Sequence, residues 1–190
     1  MTNVMAKGVN FLYAKKYIEE RYGQETWDRI MKALPHETKD VWSGILLVGK
    51  EYPFAAFKGM MAALSAELKT AKELEIAGIY EYIADHSLNK LYKIFFSFTQ
   101  PSFVIKNYPK LWNMFFNAGT VEVPVAEKGH AVVKFQLPEI FNDWLPPACL
   151  GYSKKAVEMA GGRNLTMQQS SFEKKSADLW ETVYELHWTE

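Results

Sequence analysis

The sequence predicts an α+β fold, with an N-terminal helical half packed on a C-terminal four-stranded antiparallel sheet in the order β-β-α-β-β. Two observations carry this. Apolar residues recur at helical spacing up to Gly119, and from Thr120 to Val125 the period drops from about 3.6 to 2. No repeat, low-complexity tract or linker separates the two halves. Residues 1–190 are therefore expected to form a single domain, helical over about 1–118 and sheet-containing over about 119–190. A chain of this length buries roughly 70% of its unfolded surface.

The first helix is expected over residues 9–22. Val9, Leu12, Tyr13, Lys16 and Tyr17 share a face, and Gly23 stands where a left-handed cap would be. A second helix, 25–34, gathers Trp27, Ile30, Met31 and Leu34 before Pro35 stops it, and 37–42 adds one more turn. The apolar run 45–48 has no decisive period. Pro53 opens the clearest helix, with Phe54, Phe57, Met61, Leu64 and Leu68 on one stripe. Helices over 72–85 and 88–98 follow, and Pro101 suits the first turn of the next, which Pro109 kinks or restarts.

Beyond Gly119, Val121, Val123 and Val125 face one side and Glu122 the other. Residues 126–129 read as a hairpin turn, and Ala131, Val133, Phe135 and Leu137 form the inner face of the returning strand. Helices are expected over 138–145 and 147–160, the latter ending at Gly161-Gly162. A third strand over 164–170 leads through a loop, 172–178, into a fourth. There Trp180, Thr182, Tyr184, Leu186 and Trp188 alternate with Glu181, Glu185 and His187.

Charge and composition narrow the function. Lysine plus arginine (22) balance aspartate plus glutamate (22), so no net field favours nucleic acid or an anionic membrane. The single Cys149 rules out an intramolecular disulfide. The N-terminus has no apolar core of signal-peptide length, and no apolar run approaches the ~18 residues of a membrane span. A cytoplasmic protein with no integral membrane segment is expected.

No catalytic motif is complete. Asp85-His86-Ser87 holds the letters of a triad, but adjacent helical residues point in different directions, and Ser87 suits a cap for a helix beginning at Leu88. Cys149 has no basic neighbour and reads as a buried apolar residue. Gly161-Gly162 falls between a helix and a strand, the reverse of a phosphate loop's order. His36, His86, His130 and His187 lie far apart in sequence, so a metal site would have to be assembled by the fold alone. No catalytic residue, metal or cofactor is expected.

The segment 91–119 is harder to account for. Leu91, Tyr92, Phe95 and Phe98 form one stripe, and Phe103, Tyr108, Trp112, Phe115 and Phe116 follow beyond Pro101. One helix stripe cannot hide all of these rings. Dense core packing is the ordinary explanation, a concave apolar pocket the functional one, and a dimer or partner surface the third.

Several segments carry a resemblance: 7–11, 17–23 with Trp27, Tyr52-Pro53-Phe54, Gly78-Ile79-Tyr80, Pro101, 111–119, Gly151, Ala160-Gly161-Gly162 and Trp188. Together they resemble a family of proteins of about this length frequent in myxobacteria and related gliding or predatory bacteria, a likeness that implies no activity. More remotely, the element order resembles the 4-vinyl-reductase-type ligand-binding domains, the heme-nitric-oxide-binding domains and the Bet3-like trafficking subunits. That resemblance implies an apolar cavity used for aromatic effectors, heme or an acyl chain, often in a dimer. For heme it would cast His86 as axial ligand, yet the Tyr-x-Ser-x-Arg run that holds the propionates in that family is missing. For a trafficking subunit it would want a lipid-modified cysteine at the cavity mouth, and Cys149 lies in a different region of the chain.

The leading expectation is a non-enzymatic sensor or adaptor binding a small apolar molecule or acyl chain between the aromatic helices and the sheet. Phe95, Phe98, Phe103, Trp112 and Phe115 would line the pocket, and Tyr92 or Tyr108 would supply a polar handle. The alternatives are an interaction module with a solid core, acting through a homodimer or signalling partner, and a heme-based sensor.

Overall fold

The computed structural model describes residues 4–87 and 100–190. Helix α1 (Gly8–Tyr22) follows a short strand, β1 (Met5–Lys7). Phe11, Ala14, Tyr17 and Ile18 form the buried face of α1, and Lys16 is exposed. The expected face is therefore rotated, because Asn10 is a core residue. Its amide donates to the carbonyl oxygens of Lys7 and Phe115, each at 3.1 Å, and its oxygen accepts from Tyr80 Oη at 2.9 Å. A buried amide satisfied on both ends ties three distant parts of the chain together. Gly23 has φ 83°, where an L side chain would be strained, and ends the helix.

Helices α2 (Gln24–Ala33) and α3 (His36–Ser43) lead to a second short strand, β2 (Glu51–Pro53), which pairs antiparallel with β1. Three residues per strand are too few to show an alternation, so neither strand is foreshadowed in the sequence. Helix α4 (Phe54–Leu68) buries Phe54, Phe57, Met61 and Leu64 of the predicted stripe and Met60 beside it, while Leu68 at its end is only partly buried, and α5 is Lys72–His86. The expected helix over 88–98 lies outside the described residues.

The chain resumes with α6 (Pro101–Lys106) and α7 (Tyr108–Phe115). Pro109 has no N–H to continue the α6 ladder, so it restarts the helix rather than kinking it. Gly119 then turns the chain at φ 84° into β3 (Thr120–Glu127). A two-residue turn joins β3 to β4 (His130–Pro138). The register shifts between Glu122 and Val125, so Val121 pairs with Phe135 on the inner face while Val125 pairs with Val132 on the outer one. Val125 thus departs from the expected face. Pro124 lacks a ladder donor, and an edge strand absorbs that as a bulge.

The helix expected over 138–145 is a 3-10 turn, Glu139–Phe141, followed by α8 (Leu145–Met159). Pro146 and Pro147 belong in a helix's first turn and fix where α8 begins. Strand β5 (Arg163–Ser176) is far longer than expected, and it absorbs most of the predicted loop before β6 (Leu179–Thr189). It is an edge strand carrying Lys174 and Lys175, so its polar sequence hides the strand period.

The four strands run in the order β3-β4-β6-β5, all antiparallel, so the two hairpins join through β4 and β6. Ala131, Val133, Phe135, Leu137, Tyr184, Leu186 and Trp188 are buried on the inner face. Helix α8 packs along α5 so closely that a Cβ on Gly151 would lie 2.1 Å from the Ala77 carbonyl oxygen. The helical half and the four-stranded antiparallel sheet stand as the sequence predicts. Among the described residues no helix is long and apolar enough to cross a membrane.

Candidate functional site

Two helical stripes face each other across a gap. On α7 the stripe is Tyr108, Leu111, Trp112 and Phe115; on α8 it is Leu145, Ala148, Cys149 and Tyr152. Both follow i, i+3, i+4, i+7 spacing, the signature of one buried helix face. Val121 of β3 and Phe135 of β4 form the floor, and Tyr80, Phe116 and Trp144 close the sides. The stripes are too bulky to interdigitate fully, and they leave a cavity of about 60 Å³ with an almost wholly apolar lining. Leu111 and Tyr152 are the lining residues that are only partly buried.

The walls are stiff. Trp112 meets Phe116 at 4.5 Å, Phe135 at 5.7 Å and Trp144 at 6.4 Å between ring centroids, and its indole N–H donates to the Ala118 carbonyl at 2.9 Å. Tyr152 packs edge-on against Phe115 at 5.8 Å and Tyr108 at 6.1 Å. Tyr108 Oη donates to Ser153 Oγ at 2.8 Å, and Cys149 Sγ lies 3.8 Å from the same oxygen. The Tyr152 hydroxyl is buried without a hydrogen-bond partner. Such an atom costs about 1–3 kcal/mol when nothing meets it.

Burial also fixes the ionisation. It pushes the Cys149 thiol up to about 12 and holds Tyr80, Tyr108 and Tyr152 well above the ordinary tyrosine range. Every titratable group of the lining is uncharged at neutral pH. The arrangement can enclose an apolar molecule and offer it one hydroxyl, but it holds no group poised for general acid–base chemistry.

Of the residues singled out in the sequence, Tyr108, Trp112 and Phe115 line the cavity, Tyr108 with its hydroxyl engaged by Ser153. Phe103 is 46% exposed on α6 and does not line it. Tyr92, Phe95 and Phe98 lie outside the described residues. The second wall, on α8, is not among the expected lining residues; its first member, Leu145, precedes Pro146-Pro147 and lies outside the helix expected over 147–160, whereas α8 begins at Leu145. Tyr152, the one hydroxyl with a binding role to fill, belongs to that wall.

No family model and no curated protein matches the sequence. Solved structures match its fold. An Fe(II) unliganded H-NOX protein from K. algicida aligns over 97% of each chain with a TM-score of 0.70 and 15% identity. An oxygen-binding H-NOX domain related to soluble guanylate cyclases, in its oxygen complex, aligns over 97% of this chain and 95% of that one, with a TM-score of 0.71 and 8% identity. A mutant of T. Tengcongensis H-NOX gives a TM-score of 0.73 at 9% identity, covering 97% and 98%. The chain has the H-NOX fold.

Whether it has the residues for heme is a separate matter, and the cavity answers it. All four histidines are among the described residues, and none lines the cavity. His86 stacks on Tyr82 at 3.9 Å, with Nδ1 3.0 Å from the Tyr82 carbonyl oxygen, at the partly exposed end of α5. Among the described residues, no lysine or arginine is part of the lining to pair with propionates. The volume is also far below the roughly 300–1,000 Å³ of sites for larger ligands. The described residues of the lining do not fit heme. An acyl chain is likewise too long, since an apolar cavity that binds benzene measures about 150 Å³.

Proposed function

We propose that this chain is a non-enzymatic, cytoplasmic sensor domain, acting as one unit over residues 1–190, that uses the H-NOX fold without heme. Its ligand is an apolar molecule of a few heavy atoms, held between α7 and α8. The observation that carries this reading is the 60 Å³ apolar cavity with the unpartnered Tyr152 hydroxyl at its edge. A void of that character stays dry when empty, so an apolar occupant displaces no bound water. A ligand with a single hydrogen-bonding atom would also meet the Tyr152 hydroxyl. One structural neighbour is described as an oxygen complex, a ligand whose size suits so small a space.

Xenon and phenol are direct probes. Xenon binding followed by 129Xe NMR reports on the void, and Trp112 and Trp144 in the lining make intrinsic fluorescence a monitor of phenol. Saturable binding of either that is lost in Ala148→Val, which fills the space, is the expected result. Wild-type protein indifferent to both probes would refute a cavity-based function. The heme alternative draws its support from the neighbours, whose descriptions include Fe(II) and heme. Hemin titration should give no one-to-one Soret band; a sharp band shifted from free hemin would restore the heme reading.

Signalling also needs a partner. Ile45, Leu47 and Val48, between α3 and β2, are 84%, 56% and 51% exposed, and form the apolar surface best suited to meet one or a second copy. Sedimentation of wild type against Ile45→Ser/Leu47→Ser tests the second copy, and a concentration-independent monomer in both rules it out.

A further inference from the structure

The outer face of the sheet, opposite the cavity, brings together residues that the sequence keeps far apart. His130 begins β4 and stands directly across from His187 of β6. Their rings lie parallel, with centroids 4.7 Å apart and planes 13° from one another. Glu185 precedes His187 by two positions and so shares its face, placing a carboxylate oxygen 3.9 Å from His187 Nε2. The ligand atoms of the three residues all lie within 4.8 Å of one another, and among the described residues no other trio of His, Cys, Asp or Glu donors does so.

We propose that His130, His187 and Glu185 bind a divalent transition-metal ion of the zinc type. Two imidazole nitrogens and one carboxylate are a donor set suited to zinc, nickel or copper rather than magnesium or calcium. Tetrahedral bonds of about 2.0–2.1 Å place pairs of ligand atoms about 3.3 Å apart, so modest side-chain rotations close the present spacing. Both strands are hydrogen-bonded in register here, which fixes the Cβ positions before any ion arrives. Glu127 on β3 stands in register with His130, where a directly paired side chain is about 5 Å away at Cβ, and it supplies a fourth donor or holds a bound water. Lys128, in the adjoining turn, is paired with Glu190 at 3.2 Å. The bound ion cross-links β4 to β6 across the join between the two hairpins.

Isothermal titration of the metal-free full chain with zinc chloride tests this. One ion per chain is expected, with micromolar affinity. His130→Ala and His187→Ala should each weaken it at least tenfold, and Glu185→Gln should weaken it less. His36→Ala, His86→Ala and Cys149→Ser should leave it unchanged. These side chains are on the surface, so the variants should melt with wild type in chelator. At zinc a hundredfold above Kd, wild type alone should gain roughly 5–10 °C in Tm. No heat and no Tm shift up to about 1 mM zinc would overturn the proposal. So would a His130→Ala/His187→Ala double variant that binds as wild type does, or binding that disappears in Cys149→Ser.

Discussion

Around Phe11, on the helical side, the rings of Trp42, Tyr52 and Phe57 approach to 4.9, 5.1 and 5.5 Å, and none of these four lines the cavity. Around Trp112, beside the sheet, ring spacings are similar, from 4.5 to 6.4 Å, yet a 60 Å³ void remains. Both clusters are built from buried aromatics, so composition does not separate them. The difference lies in what surrounds the rings. Phe11 is enclosed by rings from α3, β2 and α4 that approach from several directions, whereas α7 and α8 present two bulky stripes to each other above a sheet. Close approach of α8 to α5 at Gly151 sets how far those stripes can move together.

Several substitutions would break or sharpen this contrast. Phe57→Ala removes a fully buried ring from the filled cluster and should cost about 4 kcal/mol in chemical denaturation. Phe115→Ala should cost nearer about 2 kcal/mol, because part of that ring already faces the void and gives up fewer contacts. Equal losses would mean that both clusters are equally packed.

Gly151→Ala puts a methyl against the Ala77 carbonyl and should destabilise by about 2 kcal/mol, while shifting the neighbouring Tyr152 and so the phenol affinity. A thermal melt read together with phenol affinity checks both effects.

Two hydroxyl deletions should have opposite signs of about 1 kcal/mol each. Tyr152→Phe removes an unpartnered buried hydroxyl and should stabilise the ligand-free protein while weakening a hydrogen-bonding ligand. Tyr108→Phe breaks the bond to Ser153 and should destabilise it. Cys149, neutral and buried, should resist iodoacetamide in the native state and react once the chain is unfolded.

The smallest effect belongs to the outer face of the sheet. Hydrogen bonds from Gln136, Lys134 and Lys175 hold the Glu181 carboxyl down to about 2. A carboxyl lowered on folding stabilises the protein above its unfolded value, and that contribution disappears as pH falls towards about 2. Tm measured from pH 5 to pH 2 should therefore fall less steeply in Glu181→Gln than in wild type.

Much of the architecture was legible. The switch of period after Gly119, the alternation from Trp180 to Trp188 and the stripe from Phe54 to Leu64 each reflect one element burying one face, which periodicity reports directly. The length of β5 was not, because an edge strand rich in Ser, Glu and Lys needs no apolar alternation to pair on one side. Val125 was assigned to the wrong face because the bulge at Pro124 shifts the register by an amount no alternation rule contains. At the candidate site, Tyr108, Trp112 and Phe115 of α7 are expected from their helical spacing, whereas the facing α8 stripe becomes a wall only when the two helices meet.

By itself the sequence determined that the protein is α+β, that its ionic charge is balanced and that rings are concentrated near the helix–sheet junction. These follow from local pattern and composition. Tertiary structure decided that the rings near Trp112 enclose space, that Tyr152 rather than Tyr108 has a free hydroxyl, that no histidine reaches the cavity and that His130 meets His187. Each depends on side chains from segments distant in sequence arriving at one point, and a chain's pattern does not encode that distance until it folds.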